Sequence, residues 1–378
     1  MFGRDGTVGT LKDRTVFREQ SHSPAERILT KAGAVRERGP FSEGASLSEG
    51  LITIAYGPEK YIRMARALAL SYRRQNQRRP FAIVTDDSNT KVLENYFDVV
   101  IPLNSTYGLG VVQKLNVDRY SPFDETLFID SDCIFYKSPE RIWRLYAGKD
   151  FCVRGWRYLT GRTEYEKRSP YEFVQDMPEF LRQNNITRLP HFNGGVFFFR
   201  KSEIASNVFI NARSVYEQRT TLGLVPFKNA PIADEPAFAV AMEISGVEMD
   251  PWDNIEGMET AINMENVYSI NVLAEKARFR KNGANCDPVL IHFNMDAQNG
   301  TTYDREVCRL EFEKYWFGSL CVEIALTIRF WALLMERTKG FFGQMPERVR
   351  ERGVVGVLPY GFIKTCLTLL RAILSNPR

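Results

Sequence analysis

Seven short apolar runs recur along the middle of the chain: LITIAY (51–56), FAIVTDD (81–87), DVVIPL (98–103), TLFID (126–130), FCVRG (151–155), GVFFFR (195–200) and VLIHF (289–293). Several carry apolar residues at consecutive positions rather than at every second one, and strands of that kind are covered on both faces. Between the first two lies EKYIRMARALALSYRRQ (59–75), whose apolar residues recur at helical spacing with Arg and Gln outside. Strand, helix, strand, helix predicts an α/β domain, Rossmann-like, with a mainly parallel sheet flanked by helices. Open sheets of this kind take ligands at the carboxyl ends of their strands. Asp86, Asp130 and His292 stand at such ends.

The fourth run ends on two aspartates one residue apart, in TLFIDSDCIFYKSP (126–139), and then resumes as a strand. Two carboxylates at one strand end repel each other and lose hydration, unless a cation offsets both costs. Mg²⁺ or Mn²⁺ does this, taking one or two carboxylates and completing its shell with phosphate oxygens and water. The D-S-D spacing lets Asp130 and Asp132 face one region while Ser131 points away. The same residues also suit a plainer arrangement, with Asp130 capping the next turn and Asp132 solvated.

The flanks differ in texture. Residues 1–48 are rich in Gly, Ser, Arg and Glu with isolated apolar residues, which cannot repay the entropy of ordering, so a flexible tail is expected. The chain begins without an apolar leader, and its six cysteines are scattered with no CxxC pair. The expected compartment is therefore the reduced cytoplasm. A net charge of +4 over 378 residues is too small to argue for a nucleic-acid partner.

Residues 49–315 form the expected α/β domain, and 316–378 an apolar, basic, α-helical C-terminal extension. Within it, GSLCVEIALTIRFWALLMER (318–337) holds Glu323 and Arg329, each costing about 2.5–3.5 kcal/mol at a bilayer centre, so spanning is disfavoured. Ser319, Glu323 and Thr327 form a narrow polar stripe. FIKTCLTLLRAIL (362–374) repeats the design with Lys364, Thr368 and Arg371, and Arg348, Arg350 and Arg352 lie between the two. Such segments suit helices in peripheral contact with the inner face of an anionic membrane; packing on the α/β domain is the alternative.

Taken in order, KLNVDRYSPFDETLFIDSDCIF, LPHFNGGVFFFRKS, ADEPAFAVAM and VLIHFN resemble the landmarks of GT-A glycosyltransferases, in particular the glycosyltransferase family 8-like group, over about residues 51–300. The resemblance implies a GT-A fold and transfer of a sugar from a nucleotide-sugar donor, expected to be a UDP-sugar, to a glycan or lipid-linked acceptor. It also implies that Asp130 and Asp132 hold Mn²⁺ (or Mg²⁺) against the donor diphosphate, with His292 as third ligand. Asn193 in FNGGV then faces the sugars, and Lys114 in VVQKL reaches the donor sugar or phosphates. Asp234 and Glu235 in ADEPAF face the anomeric carbon, steadying it in a retaining enzyme or serving as base in an inverting one. Tyr56 in AYGPEKY becomes a platform for the base, and Asp86 a partner of the base or ribose. One departure stands out. In the family a Gly and a Lys after the late histidine often grip the diphosphate, whereas HFNMDAQNGTTYD has no lysine. That grip then falls to backbone N–H groups, Lys114 or an arginine.

Plainer readings stand beside these. Asn193 also suits a bulge, Lys114 a solvated helix face, Tyr56 simple packing, and Asp234 a helix N-cap with Pro236 in the first turn. Two other functions compete. LFIDSDC looks like the start of a haloacid dehalogenase-like phosphatase, in which the first Asp is the phosphoryl nucleophile. Such a motif opens its domain, but here three strands precede it, and FNGGV and VLIHF would go unexplained. An inactive GT-A scaffold at a membrane is the other alternative, against which the intact Asp130, Asp132 and His292 speak.

Overall fold

The computed structural model describes residues 49–75, 78–162, 174, 176–227, 230–251 and 257–313. The expected tail, 1–48, and the expected C-terminal extension, 316–378, lie outside them. The first half alternates as the apolar runs predict: β1 (Glu49–Ile54), α1 (Glu59–Arg74), β2 (Phe81–Thr85), α2 (Asp87–Leu93), β3 (Val99–Pro102), α3 (Val117–Tyr120) and β4 (Glu125–Ile129). Then follow β5 (Cys133–Phe135), α4 (Glu140–Tyr146), β6 (Phe151–Leu159), α5 (Met177–Gln183), β7 (Leu189–Arg200), α6 (Glu203–Glu217) and α7 (Asp234–Ile244). The last part holds five short to medium strands, β8 (Asp250–Pro251), β9 (Met258–Thr260), β10 (Met264–Asn271), β11 (Lys276–Lys281) and β12 (Ala284–Cys286), before β13 (Leu290–His292) and α8 (Thr301–Phe312).

The central sheet has the order β3-β2-β1-β4-β7-β6-β8. Strands β3, β2, β1 and β4 are mutually parallel, β7 runs antiparallel to both β4 and β6, and β8 pairs parallel with β6. The fold is thus mixed α/β with a mainly parallel sheet. Every residue of β2 is buried, as the unbroken run FAIV requires. The triplet Phe197-Phe198-Phe199 shows how both faces of β7 are covered. With side chains alternating along a strand, Phe198 meets Trp143 and Tyr146 on one face, with ring centroids at 5.8 and 6.0 Å. Phe197 and Phe199 meet Phe209 of α6 and, for Phe197, Phe238 of α7 on the other.

Helix α1 carries Glu59 in its first turn and Arg73 and Arg74 in its last, each opposing the partial charge of that end. Its Ile62, Ala65, Leu68 and Tyr72 join the central core with Leu51, Phe81 and Leu127. Met64 and Ala67 face a second core with Ile134, Phe279, Ile291, Phe293 and Tyr303. A helix clamped between two cores explains why ALAL is apolar on more than one side. The second core lies under two small sheets, β10-β11-β12 and β5-β13-β9. Arg63 ties α1 to α8 through Asp304 and Glu311 at 3.5 and 3.4 Å. Among the described residues, no helix is long and apolar enough to cross a membrane.

Candidate active site

The carboxyl end of β4 is where the chain turns. The N–H of Asp130 donates to the carbonyl of Gly195 at 2.8 Å, carrying the β4–β7 pairing one bond beyond the strand. The N–H of Cys133 then closes a tight turn onto the carbonyl of Asp130 at 3.1 Å. Strand β5 begins there and pairs antiparallel with β13, placing His292 opposite Cys133. The N–H of Phe293 donates to the carbonyl of Asp132 at 3.0 Å. This register brings two segments 160 positions apart in number, Asp132 and His292, into contact.

His292 Nε2 lies 3.0 Å from Asp132 Oδ1 and 3.7 Å from Asp130 Oδ2. Its Nδ1 lies 2.7 Å from Asn193 Oδ1. Burial works against a charge on His292, but the Asp132 carboxylate and its hydrogen bond raise the imidazole pKa above the ordinary value. Burial likewise opposes ionisation of Asp132, and His292 reverses that, holding its pKa low. For Asp130 burial prevails over Lys114 and His292, and its pKa is raised. The Cys133 thiol is pushed well up by burial and by the two aspartates. Its sulfur, with Asp132 and His292, lies in a group whose donor atoms are all within 4.8 Å of one another. A protonated thiol is nonetheless a poor ligand for a hard cation.

The other half of the site lies across β7. Lys114, on the 3₁₀ turn Gly110–Asn116, places Nζ 3.0 Å from Asp130 and 2.7 Å from Asp234 Oδ2. The ammonium also stands 4.9 Å from the centroid of Phe128. Burial would strip its proton, but Asp130, Asp234 and Glu235 together raise its pKa. Asp234 opens α7, and Glu235 Oε1 accepts a hydrogen bond from Gly194 N–H at 3.3 Å. Burial and the neighbouring Asp234 push the Glu235 pKa up to about 8.

The glycines of FNGGV are explained by close approach on both faces. A Cβ on Gly194 would stand 2.5 Å from Asp234 Oδ2, and one on Gly195 would collide with the His292 ring. The strand also slips here: Val153 pairs with Phe197, but Gly155 pairs with Phe192, so residues 193–196 bulge away from β6. Bulges of this kind redirect side chains beside functional sites.

Seven of the expected site residues therefore converge: Lys114, Asp130, Asp132, Asn193, Asp234, Glu235 and His292. Tyr56 and Asp86 stand at the same edge of the sheet but are engaged elsewhere. Tyr56 Oη accepts from Gly110 N–H at 2.5 Å, which ties the loop after β1 to the turn that carries Lys114. Asp86 caps α2, accepting from Asn89 N–H at 3.1 Å, and its other oxygen accepts from Gly57 N–H at 2.6 Å. These bonds outweigh partial burial and lower its pKa. The buried pair Lys281–Glu259, at 2.6 Å, went unread in the sequence; Lys281 also bonds the Thr260 carbonyl at 3.0 Å, on the strand beside His292. No signal in the sequence joins Lys281 to Glu259, because they lie on β11 and β9 of separate small sheets and meet only where the two sheets pack.

The donor set suits a divalent cation. Four carboxyl groups face two cationic groups, and with Glu235 protonated the three aspartates still leave negative charge in excess when His292 is protonated. The imidazole Nε2 is directed at both Asp130 and Asp132, and the Asp130 side chain keeps 28% of its exposure, which leaves the cluster open to a ligand. Oxygen and imidazole donors around buried excess charge fit Mn²⁺ or Mg²⁺ better than a soft metal.

No protein-family model and no curated protein matches the sequence. Among solved structures, the chain is similar to the galactosyltransferase LgtC in complex with donor and acceptor sugar analogs, at 12% identity over 55% of this chain and 75% of that one, with a TM-score of 0.38. It is similar to mouse xyloside xylosyltransferase 1 in its apo form, at 12% identity over 66% of this chain and 99% of that one, with a TM-score of 0.41. It is also similar to the bifunctional glycosyltransferase WbbM in its apo form, at 11% identity over 72% of this chain and 51% of that one, with a TM-score of 0.42. Likeness of this extent carries no assignment of activity.

Proposed function

We propose that the protein is a metal-dependent glycosyltransferase of the GT-A, family 8-like type, moving a sugar from a UDP-sugar to a glycan or glycolipid acceptor. One observation carries this reading: Asp130, Asp132 and His292, drawn from the β4–β5 turn and from β13, meet at the carboxyl edge of the sheet, with Lys114, Asp234 and Glu235 directly across β7. Asp130, Asp132 and His292 would hold the divalent ion. When bound, that ion neutralises charge building on the departing nucleoside diphosphate.

The protein's own groups do the rest. Lys114 is held positive by its carboxylate neighbours and fixes Asp130 and Asp234 in place. Glu235, with a pKa of about 8, is largely protonated near neutral pH. It can then accept from Gly194 N–H through one oxygen and donate from the other to a sugar hydroxyl. Asp234 offers a carboxylate beside it, ion-paired with Lys114. An acid and a carboxylate in adjacent positions are the pair that sugar transfer needs to position an acceptor and steady positive charge at the anomeric carbon.

The test is release of free nucleoside diphosphate from a panel of UDP-, GDP- and CMP-sugars, with Mn²⁺ and with EDTA. UDP release that requires the ion, with no hydrolysis of simple phosphate monoesters, is the expected result. Phosphate-ester hydrolysis with no use of any nucleotide sugar would establish the phosphatase alternative instead.

A further inference from the structure

We infer that Asn193 is a positioning residue for His292: its amide oxygen holds the Nδ1 proton and the ring orientation, so that Nε2, facing Asp130 and Asp132, is the nitrogen left for a cation. The inference rests on the metal site proposed above and assigns Asn193 a different task from the sugar contact that the sequence suggests. Three contacts carry it. Asn193 Oδ1 accepts a hydrogen bond from Gly195 N–H at 3.0 Å, which fixes the amide orientation, because a flipped amide would set its NH₂ against that N–H. His292 Nδ1 lies 2.7 Å from the same oxygen. An amide oxygen only accepts, so Nδ1 must carry a proton. Nε2 meets Asp132 Oδ1 at 3.0 Å and Asp130 Oδ2 at 3.7 Å, so in the metal-free ring it donates to a carboxylate, and with Nδ1–H held by Asn193 the Nε2 proton is the one a cation displaces, freeing the lone pair there. A metal ligand needs that lone pair, and a hydrogen-bonded opposite nitrogen is how proteins secure it.

The surroundings are built around this bond. Asn193 is 7% exposed and His292 4%, so the pair is closed off from solvent. Gly195 leaves room for the ring, since any Cβ there would collide with it. The bulge at residues 193–196 frees the strand from β6 and turns Asn193 toward β13. An aspartate could accept the same Nδ1–H, but it would add a fifth carboxylate to a cluster that already holds four. The neutral amide accepts without adding charge.

The experiment measures Mn²⁺ binding to the full-length wild type, Asn193→Ala and Asn193→Asp by calorimetry, together with the tautomer of His292. The tautomer is read from ¹⁵N NMR of imidazole-labelled protein saturated with diamagnetic Mg²⁺. His292→Gln assigns its resonances among the three histidines of the chain. Asn193→Ala is expected to lose about 10- to 100-fold in Mn²⁺ affinity, and Asn193→Asp to retain binding. In the Mg²⁺-loaded wild type the proton stays on Nδ1 and Nε2 has lost its own. Unchanged Mn²⁺ affinity in Asn193→Ala with only a higher KM for the donor would overturn the inference in favour of a sugar contact. A Mg²⁺-loaded wild-type ring that keeps a proton on Nε2 would overturn it without any variant, even if Asn193→Ala does not fold. Wild type that binds neither ion would instead remove the metal reading and the inference with it.

Discussion

Lys114 Nζ stands 2.7 Å from Asp234 Oδ2 and holds that carboxylate against the face of β7 opposite His292. Only 10% of the lysine side chain is exposed and 12% of the aspartate. Removing one partner of a buried pair leaves the other charge uncompensated, which costs about 3–5 kcal/mol. Lys114→Met should therefore lower stability by that order in urea titrations. Lys114→Met combined with Asp234→Asn should recover much of the loss. Equal losses in the single and double variants would show that the pair is not coupled.

Asp132→Ala and His292→Ala each remove one of the proposed metal donors from a preformed cluster. Both should abolish Mn²⁺-dependent turnover and leave the protein folded, with a lower melting temperature because each leaves a buried partner unpaired. In the wild type, the raised pKa of His292 means that ion and proton compete for Nε2. Mn²⁺ affinity should therefore fall as pH is lowered, with a proton released on binding below that pKa. Calorimetry in buffers of different ionisation enthalpy reads this directly, and binding without proton release would remove His292 from the ligand set.

Glu235 gives the fold a pH dependence of definite sign. A carboxyl raised from 4.5 to about 8 contributes stability that is fully present below the lower value and is lost as pH rises through the upper one. Denaturation midpoints of the wild type should decline between about pH 5 and 9, and those of Glu235→Gln should decline less. The same variant, if Glu235 acts on the transition state alone, should lower kcat and leave donor affinity intact. Parallel losses of binding and rate would assign it a ground-state role.

Gly194→Ala and Gly195→Ala test the two faces of β7 separately. Each adds one methyl group where a side chain already sits, at a cost of about 1–3 kcal/mol. Gly194→Ala should disturb the Lys114–Asp234 pair and lower Mn²⁺ affinity less than Gly195→Ala does, because it reaches the metal ligands only through the Lys114–Asp130 contact. Gly195→Ala should weaken Mn²⁺ binding. Identical phenotypes would mean the two faces are not distinct.

The extension 316–378, outside the described residues, carries the proposal of membrane contact through its apolar faces and basic residues. Full-length protein should float with anionic vesicles, release from them as salt rises, and ignore zwitterionic ones. Protein that ignores both would favour packing of those helices on the α/β domain.

Much of this site could be read from residue pattern. Asp130 and Asp132 follow an apolar run of the central sheet, and the rule for open sheets puts them at its carboxyl edge, whereas His292 ends β13 of a separate small sheet and reaches that edge through the antiparallel β5–β13 pairing. The amino-terminal half of β7 could not be read that way. Pro190, Asn193, Gly194 and Gly195 are turn-forming residues, yet they lie in a twelve-residue strand because β6 pairs with residues 189–192 before the bulge and β4 with residues 196–200 after it. Asp86 shows a different limit. An aspartate between a strand and a helix has the same pattern whether it binds a ligand or caps the helix, and here its carboxylate caps. The partner of Asn193 was equally hidden, since residue 292 is distant in sequence and only the β5–β13 register brings it near.

The paired glycines of β7 make that strand a septum one backbone thick. The imidazole rests against one side of it at Gly195 and the Lys114–Asp234 pair against the other at Gly194, and Asp130 joins the two around its edge. A septum so thin cannot yield to one neighbour without crowding or releasing the other. Any ligand that draws His292 toward Asp132 therefore changes the room left for Asp234, and the two halves of the cleft must tighten or loosen in concert.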